Sequence, residues 1–294
     1  MRIVTRPDFD GVVCAVLIAD ALGIDRPPLW LEPNDFQKGA VDIRPGDVIA
    51  NLPFHPRCDL WFDHHATNAV AAPFKGLFRI TPSAARNVFD YFKNRLTRDF
   101  AELVEWADRI DSADITRDMV MHPENHGFVI LSMTVSGEDR GDEPYWNGLV
   151  RRLGRGTIQA VLADAETAER CRRVVEQNAR YTEILKTCTR VVRQVAITDL
   201  RQLSNAPTGN RFLAYSLFPD AVVSIRVRYE TAQRDTVVVN IGHSIFNPGC
   251  KVDVGKLLSA FGGGGHRGAA SARFPARLAE DHLARIIDAL ERNR

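Results

Sequence analysis

The first 65 residues alternate short apolar runs with one long apolar stretch, and this rhythm constrains the fold more than any other feature of the chain. Arg2–Thr5, Leu29–Glu32, Asp47–Asn51 and Asp59–Phe62 read as strands; Gly11–Leu22, apolar and rich in alanine, reads as a helix. Spacing of this kind implies βαβ units and a mostly parallel sheet. In such sheets ligands bind beyond the carboxyl ends of the strands. Asp8, Asp10, Asn51 and Asp63 all fall at or just after a strand end, so these polar side chains are expected to converge on one crevice.

Further along, residues 83–97 and 99–111 show helical apolar spacing, with Ser83 placed to cap the first. From Gly156 to Thr189 the chain is rich in Ala, Glu and Arg and has no Pro or Gly after Gly156, which predicts a connector helix. Strands are expected again over Val191–Thr198, Arg211–Leu217, Val222–Tyr229 and Thr236–Ile241, then helices over Val254–Phe261 and Leu278–Glu291. Val135–Trp146, polar, acidic and glycine-containing, reads as an exposed loop. A length of 294 residues suits two domains better than one. The expected class is α/β: a parallel-sheet N-terminal domain over 1–155, a connector helix over 156–190 and a smaller α/β C-terminal domain over 191–294.

Charge narrows the function classes. With 38 basic and 37 acidic side chains the net charge is +1, so a polyanion site has to be a local basic patch rather than a property of the whole surface. No apolar run approaches the roughly 18 residues of a membrane span. The sequence opens on a strand, with no charged leader or apolar signal core read there. Its five cysteines are odd in number and lack a CxxC pair, which fits free thiols in a reducing compartment; the expectation is a cytoplasmic protein.

Two constellations carry chemistry. Asp8 and Asp10 flank a turn that Gly11 lets bend sharply, and Asp63-His64-His65 follows an apolar strand. Carboxylates beside imidazoles, without thiolates, suit Mn²⁺, Fe²⁺, Mg²⁺ or Zn²⁺. Successive residues of an extended chain point opposite ways, so one histidine can face an ion and the other a substrate. Asp108 and Asp111, three apart near a helix end, share a face and repel unless a cation or Arg109 neutralises them. Asp8 could equally cap the helix that starts near Gly11. The second constellation is the run Gly262–Gly265 followed by His266 and Arg267. Consecutive glycines are costly to order and make sense where backbone amides of Gly263, Gly264 and Gly265 must approach an anion, with His266 and Arg267 adding a donor and a charge. Upstream, Ser244 and Asn247 either bond a substrate or form a turn around Pro248.

These residues resemble one family, the DHH phosphoesterases with a C-terminal DHHA1 domain, a group that includes exopolyphosphatase-like, oligoribonuclease and pAp-phosphatase-like proteins. Asp8 and Asp10 resemble the paired aspartates of its first motif, and Asp63-His64-His65 its name-giving motif. Asp108 or Asp111 resembles the later metal aspartate, and Ile241–Phe274, with Ser244, Asn247, Gly255 and the glycine run, the substrate-binding end. The resemblance covers nearly the whole chain. It implies metal-dependent hydrolysis of a phosphodiester or phosphoanhydride bond in a short oligonucleotide, small nucleotide or polyphosphate, with Mn²⁺ ahead of Mg²⁺, one or two ions, no membrane partner, and a homodimer as a candidate assembly. Asp8, Asp10, Asp63, His64 and the late aspartate are then the metal ligands, and His65 orients the phosphoryl group.

The sequence departs from the family pattern at two places. Arg6 and Val4 stand where the family carries a histidine, and Asn51 stands where it carries a metal-bridging aspartate. A neutral amide is the weaker ligand for a hard cation, and Arg6 is expected to replace a second ion's charge and to hold a substrate phosphate. The same departures support a second function, a catalytically weak nucleotide- or oligonucleotide-binding protein. A pyrophosphatase sharing only the first domain is disfavoured by the glycine run, and a processive nuclease by the low net charge.

Overall fold

The computed structural model describes every residue except Ala40, Glu138, Asn205, Ala206, Thr208 and Arg294. It divides into two compact units, Met1–Ile115 with Pro123–Val174, and Thr116–His122 with Val175–Arg294.

The first unit opens with β1 (Arg2–Thr5), α1 (Phe9–Leu22), β2 (Leu29–Trp30), α2 (Pro33–Gln37), β3 (Asp47–Ala50), β4 (Leu60–Asp63) and β5 (Gly76–Phe78). The strands form one sheet in the order β2-β1-β3-β4-β5, and every neighbouring pair is parallel. Both faces are covered, so the strands read as continuous apolar runs rather than alternating ones. Their side chains still alternate between two cores. Ile3, Val48, Ala50 and Phe62 join the core built around α1, while Val4, Ile49 and Trp61 join Leu31, Ile43 and Leu52 on the other face.

Helix α1 is buried from Phe9 to Ile18, apolar on every side as a helix enclosed in a core must be. Asp8 caps it, accepting from the Gly11 amide at 2.8 Å, and Gly23 ends it in the left-handed region with φ 63°. Gly11 is required by close approach: a Cβ there would run into the Arg6 carbonyl. Around α1 pack α3 (Ala84–Phe92), α4 (Ala101–Asp111) and, after α5 (Arg117–Met121) and α6 (Gly127–Ser132), α7 (Glu143–Arg155). α8 (Ile158–Leu162) and α9 (Ala165–Cys188) follow. The short α5 belongs to the second unit, and α9 begins in the first unit and ends in the second.

The second unit contains β6 (Thr189–Val192), β7 (Val195–Asp199), α10 (Leu213–Leu217), β8 (Val223–Tyr229), β9 (Thr236–His243), α11 (Val254–Ser259), β10 (Gly264–His266), β11 (Ala269–Pro275) and α12 (Ala279–Arg292). Its sheet runs β10-β11-β9-β8-β7-β6, antiparallel except for β7 and β8. One face is apolar: Ile225, Val227, Val239 and Ile241 meet Val254, Leu258, Leu283 and Ile286 of α11 and α12. On the other, Thr198, Arg226, Asn240 and Ser271 lie in one cross-strand row.

The α/β class and the parallel sheet expected from the sequence are present. Several local expectations are corrected. Arg211–Leu217 is not a strand: Leu213–Leu217 is α10, with the Asn210 side chain accepting from the Phe212 amide just ahead of it. Short apolar runs do not separate helix from strand by periodicity. Val191–Thr198 is not one strand but the two arms of the β6–β7 hairpin, whose turn places Arg193 at φ 52°. The long helical stretch is broken at Asp164, whose carboxylate accepts from the Thr167 amide, giving α8 and α9. Val135–Trp146 is not wholly an exposed loop, since α7 begins at Glu143 and Tyr145 and Trp146 are buried. Helix 83–97 stops at Phe92. None of the five cysteines is paired, and no described helix is long and apolar enough to cross a membrane.

Candidate metal centre

The carboxyl ends of β1, β3 and β4 bring Asp8, Asp10, Asn51, Asp63, His64 and His65 into one region of the first unit, and α3 and α4 close it with Ala84 and Asp111. Asp10 sits in the first turn of α1, and its carboxylate is held from the opposite side by α3. It accepts from the amides of Ala84 at 2.9 Å and Ala85 at 2.8 Å, which are free at that helix's N-terminus. Burial, then the nearby Asp111 and Asp8, push the Asp10 carboxyl well above the usual carboxylate range. Asp111 is raised in turn, by burial and then by Asp8.

His64 decides what this crowding is for. Its Nδ1 lies 2.9 Å from the Thr81 carbonyl, which can only accept, so Nδ1 carries the proton. In the neutral ring Nε2 then presents a lone pair. That nitrogen is buried without a hydrogen-bond partner and lies 3.4 Å from Asp111 and 4.0 Å from Asp10. A lone pair facing two carboxylates is unfavourable unless something positive lies among them. The ligand-capable atoms of Asp10, His64 and Asp111 all lie within 4.8 Å of one another. Two carboxylate oxygens and one imidazole, with the imidazole's other nitrogen fixed by a carbonyl, fit a divalent cation.

Asp63, His64 and His65 form a second such group. Asp63 is fully buried, and its Oδ1 accepts from the His64 amide and from His65 Nδ1, both at 2.8 Å, while Oδ2 accepts from Asn68 at 2.6 Å. The hydrogen bond that His65 Nδ1 donates to Asp63 raises the His65 pKa and fixes the ring, so that its Nε2 is the nitrogen available to a ligand.

The two aspartates of α4 part company. Asp108 accepts from Ser83 Oγ at 2.6 Å and from Arg86 Nε at 2.8 Å, a half-buried tie between α4 and α3 that stands outside the cluster. Asp111 alone of the pair faces His64. Arg109, the alternative to a cation for neutralising them, reaches toward Asp114 and lies over the Trp106 ring. Asp8 both caps α1 and belongs to this region: besides the Gly11 amide it accepts from Asn51 Nδ2 at 2.9 Å, and Arg6 Nε is 3.3 Å from its other oxygen. The alanine amides, the Thr81 carbonyl and the Asn68 amide were not singled out from the sequence. The first two are backbone groups, which carry no side-chain signature, and only Ser83 as a cap pointed toward the alanine amides; Asn68 acts through its side chain, which its place in the sequence does not announce.

The glycine run belongs to the second unit. Gly264–His266 forms the edge strand β10, paired with β11 in the register Gly264↔Ser271. Close approach explains Gly265, at φ 150°, where a Cβ would meet the Ala269 carbonyl; Gly263 is as tightly placed, and Gly264 is open. His266 Nδ1 accepts from the Gly268 amide at 3.2 Å, and Arg267 donates to the Lys251 carbonyl at 3.1 Å, so both side chains brace the neighbouring chain. Ser244 is buried and accepts from the Phe246 and Asn247 amides, and Asn247 donates to the Pro219 carbonyl; these two form the turn.

No family model matches the chain, and no curated protein matches its sequence. Solved structures do. A pGpG-specific phosphodiesterase from Vibrio cholerae is 28% identical, with a TM-score of 0.86 over 100% of this chain and 99% of its own. An exopolyphosphatase-related protein from Bacteroides fragilis is 13% identical, with a TM-score of 0.53 over 99% and 92%. RecJ from Thermus thermophilus, in complex with Mn²⁺, is 13% identical with a TM-score of 0.55; the match covers 99% of this chain but 52% of RecJ. The last two likenesses show the fold, and the first extends to sequence over the whole length. With Asp8, Asp10 and Asp63-His64-His65 at the strand ends of a parallel sheet, these structural neighbours support the resemblance to the DHH phosphoesterases.

Proposed function

We propose that this protein is a metal-dependent phosphoesterase that hydrolyses a phosphodiester or phosphoanhydride bond in a short oligonucleotide or small nucleotide. The observation that carries the reading is the His64 Nε2 lone pair, buried without a hydrogen-bond partner between Asp10 and Asp111. Asp10, His64 and Asp111 would hold the ion, Mn²⁺ first and Mg²⁺ second, with Asp63 behind them. When bound, the ion supplies Lewis acidity toward a phosphoryl group and lowers the pKa of water.

The chain's own residues do the rest. Thr81 fixes the His64 tautomer, and the α3 amides hold the Asp10 carboxylate in place. Asp63 orients His65 and favours its protonated form, so that Nε2–H donates to a phosphoryl oxygen and stabilises charge as it develops. The likeness to a dinucleotide phosphodiesterase favours a dinucleotide over polyphosphate as substrate.

A substrate panel of pGpG, other 5′-phosphorylated dinucleotides, pAp and polyphosphate, with Mn²⁺ or Mg²⁺, tests this. Turnover that is abolished by chelation and by His64→Gln is expected. Tight dinucleotide binding with no turnover under any metal would instead favour the binding-protein reading, which the contacts of Arg6 and Asn51 with Asp8 keep open.

A further inference from the structure

We propose that the Arg6 guanidinium stands at Asp8 in place of a second cation, so that the centre holds one ion and Arg6 supplies the other positive charge to a bound phosphate. The inference rests on the metal-dependent reading above.

Three features carry it. First, the Asp8 carboxylate is already engaged: Oδ1 accepts from the Gly11 amide and from Asn51 Nδ2, and Oδ2 faces Arg6 Nε. Second, an ionised carboxylate only accepts, so the Asn51 group turned toward it is the amide NH₂ and not the carbonyl. A cation at Asp8 would meet hydrogens there instead of a ligand oxygen. Asn51 is held in that pose, buried, at φ 56°, with its own amide donating to the Phe62 carbonyl. Third, Arg6 Nε is buried between two carboxylates, 3.3 Å from Asp8 and 3.5 Å from Glu32, and makes no hydrogen bond. The Arg6 side chain is 38% exposed, and neither Nη has a hydrogen-bond partner among the described residues. The fork is therefore held by its stem with its two terminal nitrogens unused, the form suited to bidentate contact with phosphate.

Metal content tests the proposal independently of turnover. After equilibration with Mn²⁺ and removal of free metal, the wild-type protein is expected to retain one ion per chain, and Arg6→His combined with Asn51→Asp two. In the Mn²⁺-loaded protein, Arg6→Gln is expected to raise the Kd for inorganic phosphate at least tenfold, with Arg6→Lys recovering part of the loss. Two ions in the wild type, one in the folded double variant, or an unchanged phosphate Kd in Arg6→Gln overturns the inference. A wild-type protein that retains no ion removes the functional reading as well, whereas two ions remove this inference alone. The wild-type count stands even if a variant fails to fold.

Discussion

Asp108 and Asp111 lie one turn apart on the same helix and have different tasks. Sequence spacing left them equivalent; the partners separate them, Arg86 and Ser83 for one and His64 for the other. Asp111→Asn is expected to weaken Mn²⁺ binding and to lower turnover at least 100-fold while leaving the urea midpoint of the metal-free protein near or above wild type, because it relieves repulsion from Asp8 and Asp10. Asp108→Asn is expected to do the reverse: it breaks a charge-assisted contact between α3 and α4, costing about 1–3 kcal/mol of stability, and spares metal binding. Metal titration and urea unfolding of both variants check this. A residue's chemistry was legible here; its assignment was not, because the partners come from distant segments, Ser83 and Arg86 at the start of α3 for Asp108 and His64 after β4 for Asp111.

Among the elements, β1 and β3 were read from sequence almost to the residue. Each is a continuous apolar run ended by a polar residue, a pattern that a strand buried on both faces produces and an exposed one does not. Their register is pinned at one end by Arg2, paired with Asp47 across the sheet, Nε to Oδ1 at 2.8 Å. Burial works to raise the Asp47 carboxyl, but the hydrogen bonds from Arg2 and the Arg44 amide prevail and hold it below the usual range. A carboxyl lowered in the folded state contributes stability that is present above its unfolded pKa of about 3.9 and lost as pH falls through the folded value. Asp47→Asn should therefore lower stability near pH 7 and flatten the acid limb, so that the urea midpoints of variant and wild type converge as pH falls. Elements set by local hydrogen bonds were harder to read. α10 depends on Asn210 and the β6–β7 turn on Arg193 at positive φ, and neither Asn before an apolar run nor an arginine announces that role. The glycine run was seen, but its pairing with β11 was not, since two adjacent strands joined by Arg267 and Gly268 leave almost no periodicity to detect.

For the molecule as a whole, the ion is expected to act as a ligand of the folded state. Its proposed donors come from α1, the residue after β4 and the end of α4, which are far apart in sequence and gathered only on folding. Free Mn²⁺ at a hundred times its Kd would add about 2.7 kcal/mol. Thermal unfolding should shift upward with Mn²⁺, return on chelation, and not respond in Asp111→Asn. Protection from hydrogen exchange should rise at the start of α3 and the end of α4. A shift that persists in the variant would place the ion elsewhere.

The sequence by itself determined the kind of protein this is: the α/β class, the parallel sheet, and the strand ends that carry Asp8, Asp10 and Asp63-His64-His65. It could do so because burial on both faces and the strand–helix alternation are local patterns written in apolar residues. Only the tertiary structure decided that Asp111 and not Asp108 meets His64, that Thr81 sets the histidine's tautomer, and that Arg6 and Asn51 occupy Asp8. Those outcomes depend on which donors and acceptors long-range packing brings within about 3 Å, and no spacing along the chain specifies that.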